Sequence, residues 1–134
     1  MAPKHRTISP FQEALFDSSA YYNDRRGHRQ VNLKVGRLEE KVDEGIAVVL
    51  QALWRQGVRT EFSCQGDADE LAYIDFPTSA DLDQFRTMAT RIVDSHWIFS
   101  EWNRDWDEQR FFRVKFPHGH LPELERRLAR QAPR

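Results

Sequence analysis

The spacing of apolar residues changes between two periods along this chain, and the change limits the folds that it can adopt. Over residues 31–35, apolar and polar residues alternate, which predicts a half-buried β-strand. From Leu38 the apolar residues recur at helical spacing as far as Gly57, a residue typical of the position just after a helix C-terminus. The apolar positions of this predicted helix are Leu38, Val42, Ile46, Val49, Leu50 and Leu53.

The later periodic segments extend this pattern into a mixed fold. We predict strands over residues 58–62 and 71–76, a helix over 77–96, a hairpin with arms 97–102 and 110–116, and a helix over 121–130. Thr78 or Ser79 is expected to cap the second helix, and the last helix has an apolar stripe of Leu121, Leu124 and Leu128. The order predicts an α+β fold, namely a ferredoxin-like βαββαβ sandwich with an added β-hairpin arm and flanking N- and C-terminal helices.

The first 30 residues differ from the rest of the chain. Residues 9–16 begin with a Ser-Pro pair and predict a short helix, whereas residues 17–30 have no apolar period and form a basic arm. The remaining segment, 31–134, has the length of one domain. We therefore predict an N-terminal helix and arm over residues 1–30, followed by a single α+β domain.

Composition narrows the cellular setting. Hydrophobic residues make up 40% and charged residues 31% of the 134 residues, as in ordinary globular domains. No apolar run approaches the roughly 18 residues that a membrane span needs, and the N-terminus has no apolar segment typical of a signal peptide. The single cysteine fits a reducing compartment. We expect a cytoplasmic protein with no membrane contact and, with one Cys and five His, no structural zinc site.

Charge is unevenly distributed although the net charge is −1. Residues 1–37 carry seven Lys/Arg and three Asp/Glu, and residues 110–134 carry seven and two. Residues 38–109 carry six Lys/Arg against sixteen Asp/Glu. This asymmetry predicts either an interaction surface or basic ends that fold back onto an acidic body.

The stretch "SCQG", residues 63–66, is predicted to lie in a loop between two strands, where backbone donors are available to a ligand. Ser63 offers a hydroxyl, Gln65 offers an amide, and Gly66 permits close backbone approach. A polar turn with a glycine can hold an anion through its N–H groups. We predict a small anionic or nucleotide-like ligand bound by Thr60, Ser63, Cys64, Gln65 and Gly66.

Cys64 itself has two interpretations. A lone cysteine is commonly a small buried hydrophobe, whereas a nucleophilic thiol needs an adjacent base or cation. No histidine lies within thirty residues of Cys64 in the sequence, so we predict no catalytic residue here. The acids that follow, Asp67, Asp69 and Glu70, lack the spacing of an EF-hand loop, and we predict no metal at this loop.

Residues 41–66 resemble a segment of the tRNA wybutosine-synthesizing protein 3 family. In that family an acidic helix leads to a "T-x-S-S-C-S-G-R" turn, which Thr60, Ser63, Cys64 and Gly66 match. The same residues resemble a "G-[IVY]-x-T-x-x-S-C-x-G" turn of small uncharacterised bacterial and phage proteins. The first resemblance implies methylation of a modified tRNA guanosine with S-adenosylmethionine. Here Gln65 replaces a serine, and Asp67 replaces the basic residue after the glycine.

Aromatic and basic residues mark a possible partner surface. Both faces of the strand over 97–102 carry large apolar groups, so we expect the N-terminal arm, a second subunit or a ligand to cover one of them. Aromatic rings interleaved with arginines also suit nucleic acid, but a hairpin packed by its own aromatics explains them better, because acids in the same hairpin would repel a nucleic acid backbone. The candidate surface comprises Arg25, Arg26, Arg29, Trp102, Arg104 and Trp106.

Three functions follow from these features. The leading hypothesis is a non-catalytic intracellular module, a homodimer, that binds a small anionic or nucleotide-like ligand near residues 63–66. The first alternative is an enzyme that modifies RNA or a nucleotide, as the tRNA-methyltransferase resemblance implies. The second alternative is a protein–protein adaptor that uses the aromatic hairpin.

Overall fold

The order of strands and helices along the chain is close to the order predicted from apolar spacing. The computed structural model describes residues 21–22, 28–104 and 106–131. The elements are β1 (Tyr21–Tyr22), β2 (Arg29–Val35), β3 (Leu38–Asp43), α1 (Ala47–Arg55), β4 (Ser63–Cys64), β5 (Ala72–Phe76), α2 (Ser79–Met88), β6 (Ile98–Asn103), β7 (Arg110–Phe116) and α3 (Leu121–Ala129). The predicted helix over residues 9–16, together with Arg25 and Arg26, lies outside the described residues.

The described strands form two antiparallel sheets. One sheet has the order β1-β2-β3, and the other has the order β4-β5-β7-β6. The α+β class is therefore confirmed. A ferredoxin-like plan unites its four strands in one sheet, whereas in the described part of the chain β2 pairs with β1 and β3, so that arrangement is not confirmed in detail.

The predicted helix start at Leu38 is wrong, because residues 38–43 form strand β3. This strand pairs with β2 across a turn at Gly36, whose φ of +60° suits glycine. Leu38 and Val42 are four residues apart, a spacing that places them on one side of a helix and equally on one face of a strand. The helix itself begins at Ala47, after a 3-10 turn over Glu44–Ile46.

The C-terminus of α1 follows the prediction. Gly57 has a φ of +82°, and its N–H donates to Trp54 O at 3.0 Å. The next N–H, from Val58, donates to Leu53 O at 3.0 Å. This pair of hydrogen bonds is the Schellman motif, in which a left-handed residue satisfies the last helix carbonyls.

The core lies between the helices and one face of the four-stranded sheet. It includes Leu50 and Leu53 of α1, Phe76 of β5, Phe85 of α2, Phe116 of β7 and Leu124 of α3, all with no exposed surface. The predicted stripe of α3 is confirmed, since Leu121, Leu124 and Leu128 are all buried. Thr78 caps α2, as predicted, by accepting a hydrogen bond from the N–H of Asp81 at 3.1 Å.

Strand alternation separates the two faces of the four-stranded sheet. The core face includes Ile74 and Val114, a cross-strand pair without exposed surface. The opposite face, here called the outer face, carries Tyr73, Arg113 and Trp102. None of the helices in the described residues is long and apolar enough to cross a membrane.

Candidate functional site

The SCQG turn lies where β4 ends beside β5. The predicted strand over residues 58–62 is displaced, because the strand is Ser63–Cys64, which pairs with Ile74 and Tyr73 respectively. Ser63 and Cys64 therefore point to opposite faces of the sheet. Ser63 is buried on the core face, and its hydroxyl oxygen has no hydrogen-bond partner among the described residues. Ser63 and Cys64 thus cannot act on one ligand together.

A histidine that is distant in sequence lies next to the thiol. Nδ1 of His28 is 3.8 Å from Cys64 Sγ and 3.1 Å from Oδ2 of Asp43. His28 and Asp43 are buried, and Cys64 is partly exposed. The expectation that no base approaches Cys64 is therefore wrong. His28 and Cys64 are 36 residues apart in the sequence, but they lie next to each other because β2, β3 and β4 come together. We call these three residues the His28–Asp43–Cys64 cluster.

Apart from the Ser63 hydroxyl, the polar groups described at the SCQG turn have partners within the protein. The N–H of Gln65 donates to Oδ2 of Asp43 at 3.0 Å, and its side-chain Oε1 accepts the N–H of Gly45 at 2.8 Å. The N–H of Gly66 lies 3.5 Å from Cys64 Sγ. The N–H of Asp67 donates to Glu70 O at 2.9 Å. These hydrogen bonds hold the turn in shape and occupy the backbone donors that an anion would need.

The electrostatic surroundings of the turn also oppose an anion. Asp43 lies behind the turn, and Asp67, Asp69 and Glu70 follow it. Tyr73, which pairs with Cys64 across the sheet, is a neutral neighbour: burial raises its pKa to about 12, against the opposing effect of Arg113. The acidic side chains around the turn therefore disfavour an anionic ligand there.

Thr60, by contrast, lines a cleft of about 610 Å³ on another part of the molecule. Its walls are contributed by the turn after β2, by β3, by α1, by the segment before β4, and by the connection between β6 and β7. The lining residues are Arg37, Leu38, Glu39, Glu40, Trp54, Arg59, Thr60, Glu61, Phe62, Pro77, Arg104 and Trp106. Three of the residues singled out in the sequence, Thr60, Arg104 and Trp106, thus share one cleft.

Opposite charges and an exposed ring define the inside of the cleft. Arg104 donates to Glu61 Oε2 at 2.9 Å and lies with its guanidinium carbon 5.5 Å from the ring centre of Trp106. The Trp106 side chain is 66% exposed. The second carboxylate oxygen of Glu61, Oε1, is buried and has no hydrogen-bond partner among the described residues. Arg37 is exposed and forms no ion pair with any residue that the structure describes.

The remaining predicted surface residues lie elsewhere. Arg29 is exposed at the start of β2, with its Nε 4.0 Å from a carboxylate oxygen of Glu44. Trp102 is 47% exposed on the outer face and stacks on Phe111, with ring centres 6.5 Å apart. The six residues proposed from the sequence as one surface are thus divided, and only Arg104 and Trp106 line the same cavity.

Sequence reasoning missed His28 and Asp43 in the cluster, and Arg37 and Glu61 in the cleft. His28 fell in the predicted arm and Asp43 in the predicted helix, so neither was considered beside Cys64. Glu61 was placed in a strand without regard to its side chain. No local signal identified Asp43, because the chain was predicted to be helical through this position, and the Asp43 side chain makes no capping hydrogen bond to the 3-10 turn that follows.

Comparison with known proteins finds no match: no protein-family model, no curated protein and no solved structure is significantly similar to this chain. The resemblance of residues 41–66 to the tRNA wybutosine-synthesizing protein 3 family therefore stays a prediction. Functional conclusions about this chain depend on its own geometry.

Proposed function

We propose that this protein is a non-catalytic intracellular module that binds a small, anionic, nucleotide-like ligand in the cleft lined by Thr60, Arg104 and Trp106. One observation carries the proposal: an exposed aromatic ring, several guanidinium groups and the carboxylate of Glu61 line the same concavity. The cleft, at about 610 Å³, falls within the range of about 300–1,000 Å³ that small-molecule sites occupy.

Each group in the cleft matches one part of a nucleotide. A base stacks on the exposed face of Trp106, as bases do on aromatic side chains in single-strand binding proteins. The carboxylate of Glu61 lines the cleft and presents an acceptor to an N–H of that base. Arg37 and Arg59 contact the phosphate, because guanidinium groups present donors in the geometry of phosphate oxygens.

The cleft suits this ligand better than the SCQG turn does. The N–H groups of Gln65 and Asp67 donate to protein oxygens, and Asp43 and Glu70 provide those oxygens. An anion at the turn would have to break these hydrogen bonds and approach carboxylates. The cleft also contains carboxylates, but three guanidinium groups line it with them. Arg37 is exposed and lies outside the ion pairs of the described residues, so binding there displaces no internal pair of Arg37.

We expect Trp106→Ala to weaken nucleotide binding by about tenfold to a hundredfold, since stacking of one base contributes about 1–3 kcal/mol. Isothermal titration calorimetry with purine and pyrimidine mononucleotides would measure the affinity.

Glu61→Gln should shift the preference among bases, because an amide replaces the acceptor-only carboxylate with a group that also donates.

Two matched variants control for general damage. Trp102→Ala removes an equally large ring from the outer face, and Cys64→Ser changes the turn; both should leave nucleotide affinity within a few fold. Failure of every mononucleotide to bind the wild-type protein, or equal losses in Trp106→Ala and Trp102→Ala, would contradict the proposal.

We also propose that the protein forms a homodimer through β6, which is an edge strand of its sheet. Ile98 and Trp102 are 51% and 47% exposed on the outer face of this strand, and exposed edge strands with apolar groups favour pairing with another chain. We expect light scattering at micromolar concentration to give the mass of a dimer, and Trp102→Ala to shift the protein towards monomer. Trp106→Ala is the control and should leave the mass unchanged. A wild-type protein that stays monomeric at high concentration would disprove this assembly.

A further inference from the structure

We propose that the His28–Asp43–Cys64 cluster is a binding site for a divalent transition metal ion of the zinc type. This site is separate from the cleft and does not depend on the function proposed for it. Among the described residues, these three form a group of His, Cys and carboxylate ligand atoms that lie within 4.8 Å of one another.

The distances between the ligand atoms are close to the edges of a metal coordination shell, and all three atoms lie within 4.8 Å of one another. His28 Nδ1 lies 3.1 Å from Asp43 Oδ2 and 3.8 Å from Cys64 Sγ. With Zn–N and Zn–O bonds of about 2.1 and 2.0 Å and a Zn–S bond of about 2.3 Å, tetrahedral geometry separates ligand atoms by about 3.4–3.6 Å. A small movement of the side chains therefore brings all three atoms to bonding distance from one ion.

The set of ligand atoms selects the class of metal. A thiolate, an imidazole and a carboxylate together suit zinc and neighbouring borderline ions, whereas calcium and magnesium take oxygen ligands. Tetrahedral zinc accepts four donors, so three protein ligands are completed by a water or another donor.

The groups around the cluster support each of its members as a ligand. Gln30 Nε2 donates to Oδ1 of Asp43 at 3.2 Å, and the N–H of Gln65 donates to Oδ2 at 3.0 Å. The N–H of Gly66 points at Cys64 Sγ from 3.5 Å. Nε2 of His28, the ring nitrogen away from the cluster, lies 4.0 Å from a carboxylate oxygen of Asp67. Hydrogen bonds to ligating carboxylates, and a carboxylate near the second nitrogen of a ligating histidine, are typical outer contacts of metal sites.

The same geometry does not fit a catalytic triad. In a triad the nucleophile and the orienting acid contact different ring nitrogens of the histidine. Here Asp43 and Cys64 both approach Nδ1 of His28, which carries at most one hydrogen and cannot donate fully to both. Convergence of three lone-pair donors on one point is what a metal ion requires.

The position of the cluster predicts an effect on stability. His28 precedes β2, Asp43 ends β3 and Cys64 ends β4, so an ion bound there links the two sheets. A ligand that binds the folded state alone stabilises it in proportion to the logarithm of its concentration above Kd. The melting temperature should therefore rise as zinc is added to metal-free protein.

The test uses untagged full-length protein, treated with a chelator and then titrated with Co²⁺ and with Zn²⁺. We expect an equimolar Co²⁺ complex with a sulfur-to-cobalt charge-transfer absorption that Zn²⁺ abolishes by displacement. Cys64→Ser should remove the charge-transfer band. Cys64→Ser and His28→Gln should each weaken Zn²⁺ binding by about 100-fold or more. A loss of this size is at or beyond the upper end of what removing an outer contact of a metal site causes. His96→Gln changes an exposed histidine outside the cluster; it is the matched control and should change nothing.

A second measurement needs no variant. Cys64 is the only cysteine, so its alkylation rate reports on this site alone, and Zn²⁺ should slow alkylation of wild-type protein at equimolar concentration.

Gln30→Leu, which keeps all three ligands but removes a hydrogen bond to Asp43, should weaken Zn²⁺ binding by about tenfold. An alkylation rate unaffected by Zn²⁺, a cobalt complex without a thiolate band, or equal Zn²⁺ affinities in wild type and Cys64→Ser would overturn the proposal.

Discussion

Replacing Gly66 with alanine is expected to lower the free energy of unfolding by about 2–5 kcal/mol. Gly66 has a φ of +67°, a left-handed conformation that costs an L-residue about 1–2 kcal/mol. A Cβ at Gly66 would lie 2.5 Å from Ala72 N, 2.6 Å from Glu70 O and 2.7 Å from Leu71 C. These are backbone atoms at the start of β5, which cannot rotate away, and overpacking of this kind adds about 1–3 kcal/mol. Valine, which is β-branched, should be more damaging still.

The variant Gly36→Ala separates the conformational cost of a positive φ from the cost of overpacking. The φ of Gly36, +60°, is close to that of Gly66, but among the described residues no atom lies within 4 Å of the Cβ that an alanine would add. Gly36→Ala should therefore lose only the conformational part, about 1–2 kcal/mol. Urea unfolding followed by circular dichroism measures both variants. If Gly66→Ala and Gly36→Ala lose the same free energy of unfolding, the contact with residues 70–72 does not contribute to the loss in Gly66→Ala.

The elements that the sequence predicts correctly are those determined by local spacing. Alternation over residues 110–116 matches β7, and Leu121, Leu124 and Leu128 form the buried side of α3. The Thr78 cap and the Gly57 terminus depend on residues within a few positions of each other. Such features need no knowledge of the partner element, because one strand face or one helix turn produces them.

The errors arise where local spacing is ambiguous or pairing is distant. The spacing of Leu38 and Val42 fits a helix and a strand alike, and the hairpin with β2 decides between them. The division into two sheets depends on which strands pair over long separations, and apolar periodicity contains no information on that choice. The predicted sandwich therefore has most of the observed strands, but it treats β3 as helix, places a strand at residues 58–62 instead of Ser63–Cys64, and has an unconfirmed arrangement.

The candidate site was predictable in parts and not as a whole. The sequence singled out the SCQG turn, Arg104 and Trp106, but it did not place Arg104 and Trp106 beside Thr60. His28 and Cys64 are 36 residues apart and follow no short ligand motif, so only the meeting of β2, β3 and β4 reveals the cluster. Short motifs capture ligands that come from one turn or one helix face; this cluster draws on three separate segments.

Replacing Arg113 with methionine is expected to cost about 3–5 kcal/mol of stability, because it leaves a buried carboxylate without its partner. Asp75 has no exposed surface, and Arg113 holds it through two hydrogen bonds, Nε to Oδ1 at 2.7 Å and Nη2 to Oδ2 at 2.9 Å. The guanidinium also lies 4.2 Å from the ring centre of Tyr73. Methionine keeps most of the aliphatic stem and removes both hydrogen bonds and the charge.

The loss of stability in Arg113→Met should be larger at high pH than at low pH. Burial raises the pKa of Asp75 above its ordinary value, and the hydrogen bonds and charge of Arg113 oppose that rise. Without Arg113 the pKa in the folded protein rises further, so the folded state of the variant binds a proton more readily than the unfolded state does. The destabilisation is full above the raised folded pKa and shrinks as pH falls towards the unfolded value, where both states are protonated. Urea unfolding at several pH values would measure this trend.

Arg110→Met is the matched control on the same strand, because Arg110 pairs with Glu101 at the surface, where both side chains are about half exposed or more. Its loss should stay below about 1 kcal/mol. The double variant Arg113→Met/Asp75→Leu removes the stranded charge and should recover most of the stability, since apolar replacements of buried ion pairs are often neutral. If Arg113→Met costs no more than Arg110→Met, the Asp75–Arg113 pair is not what holds β5 and β7 together, and packing of the core face alone stabilises the sheet.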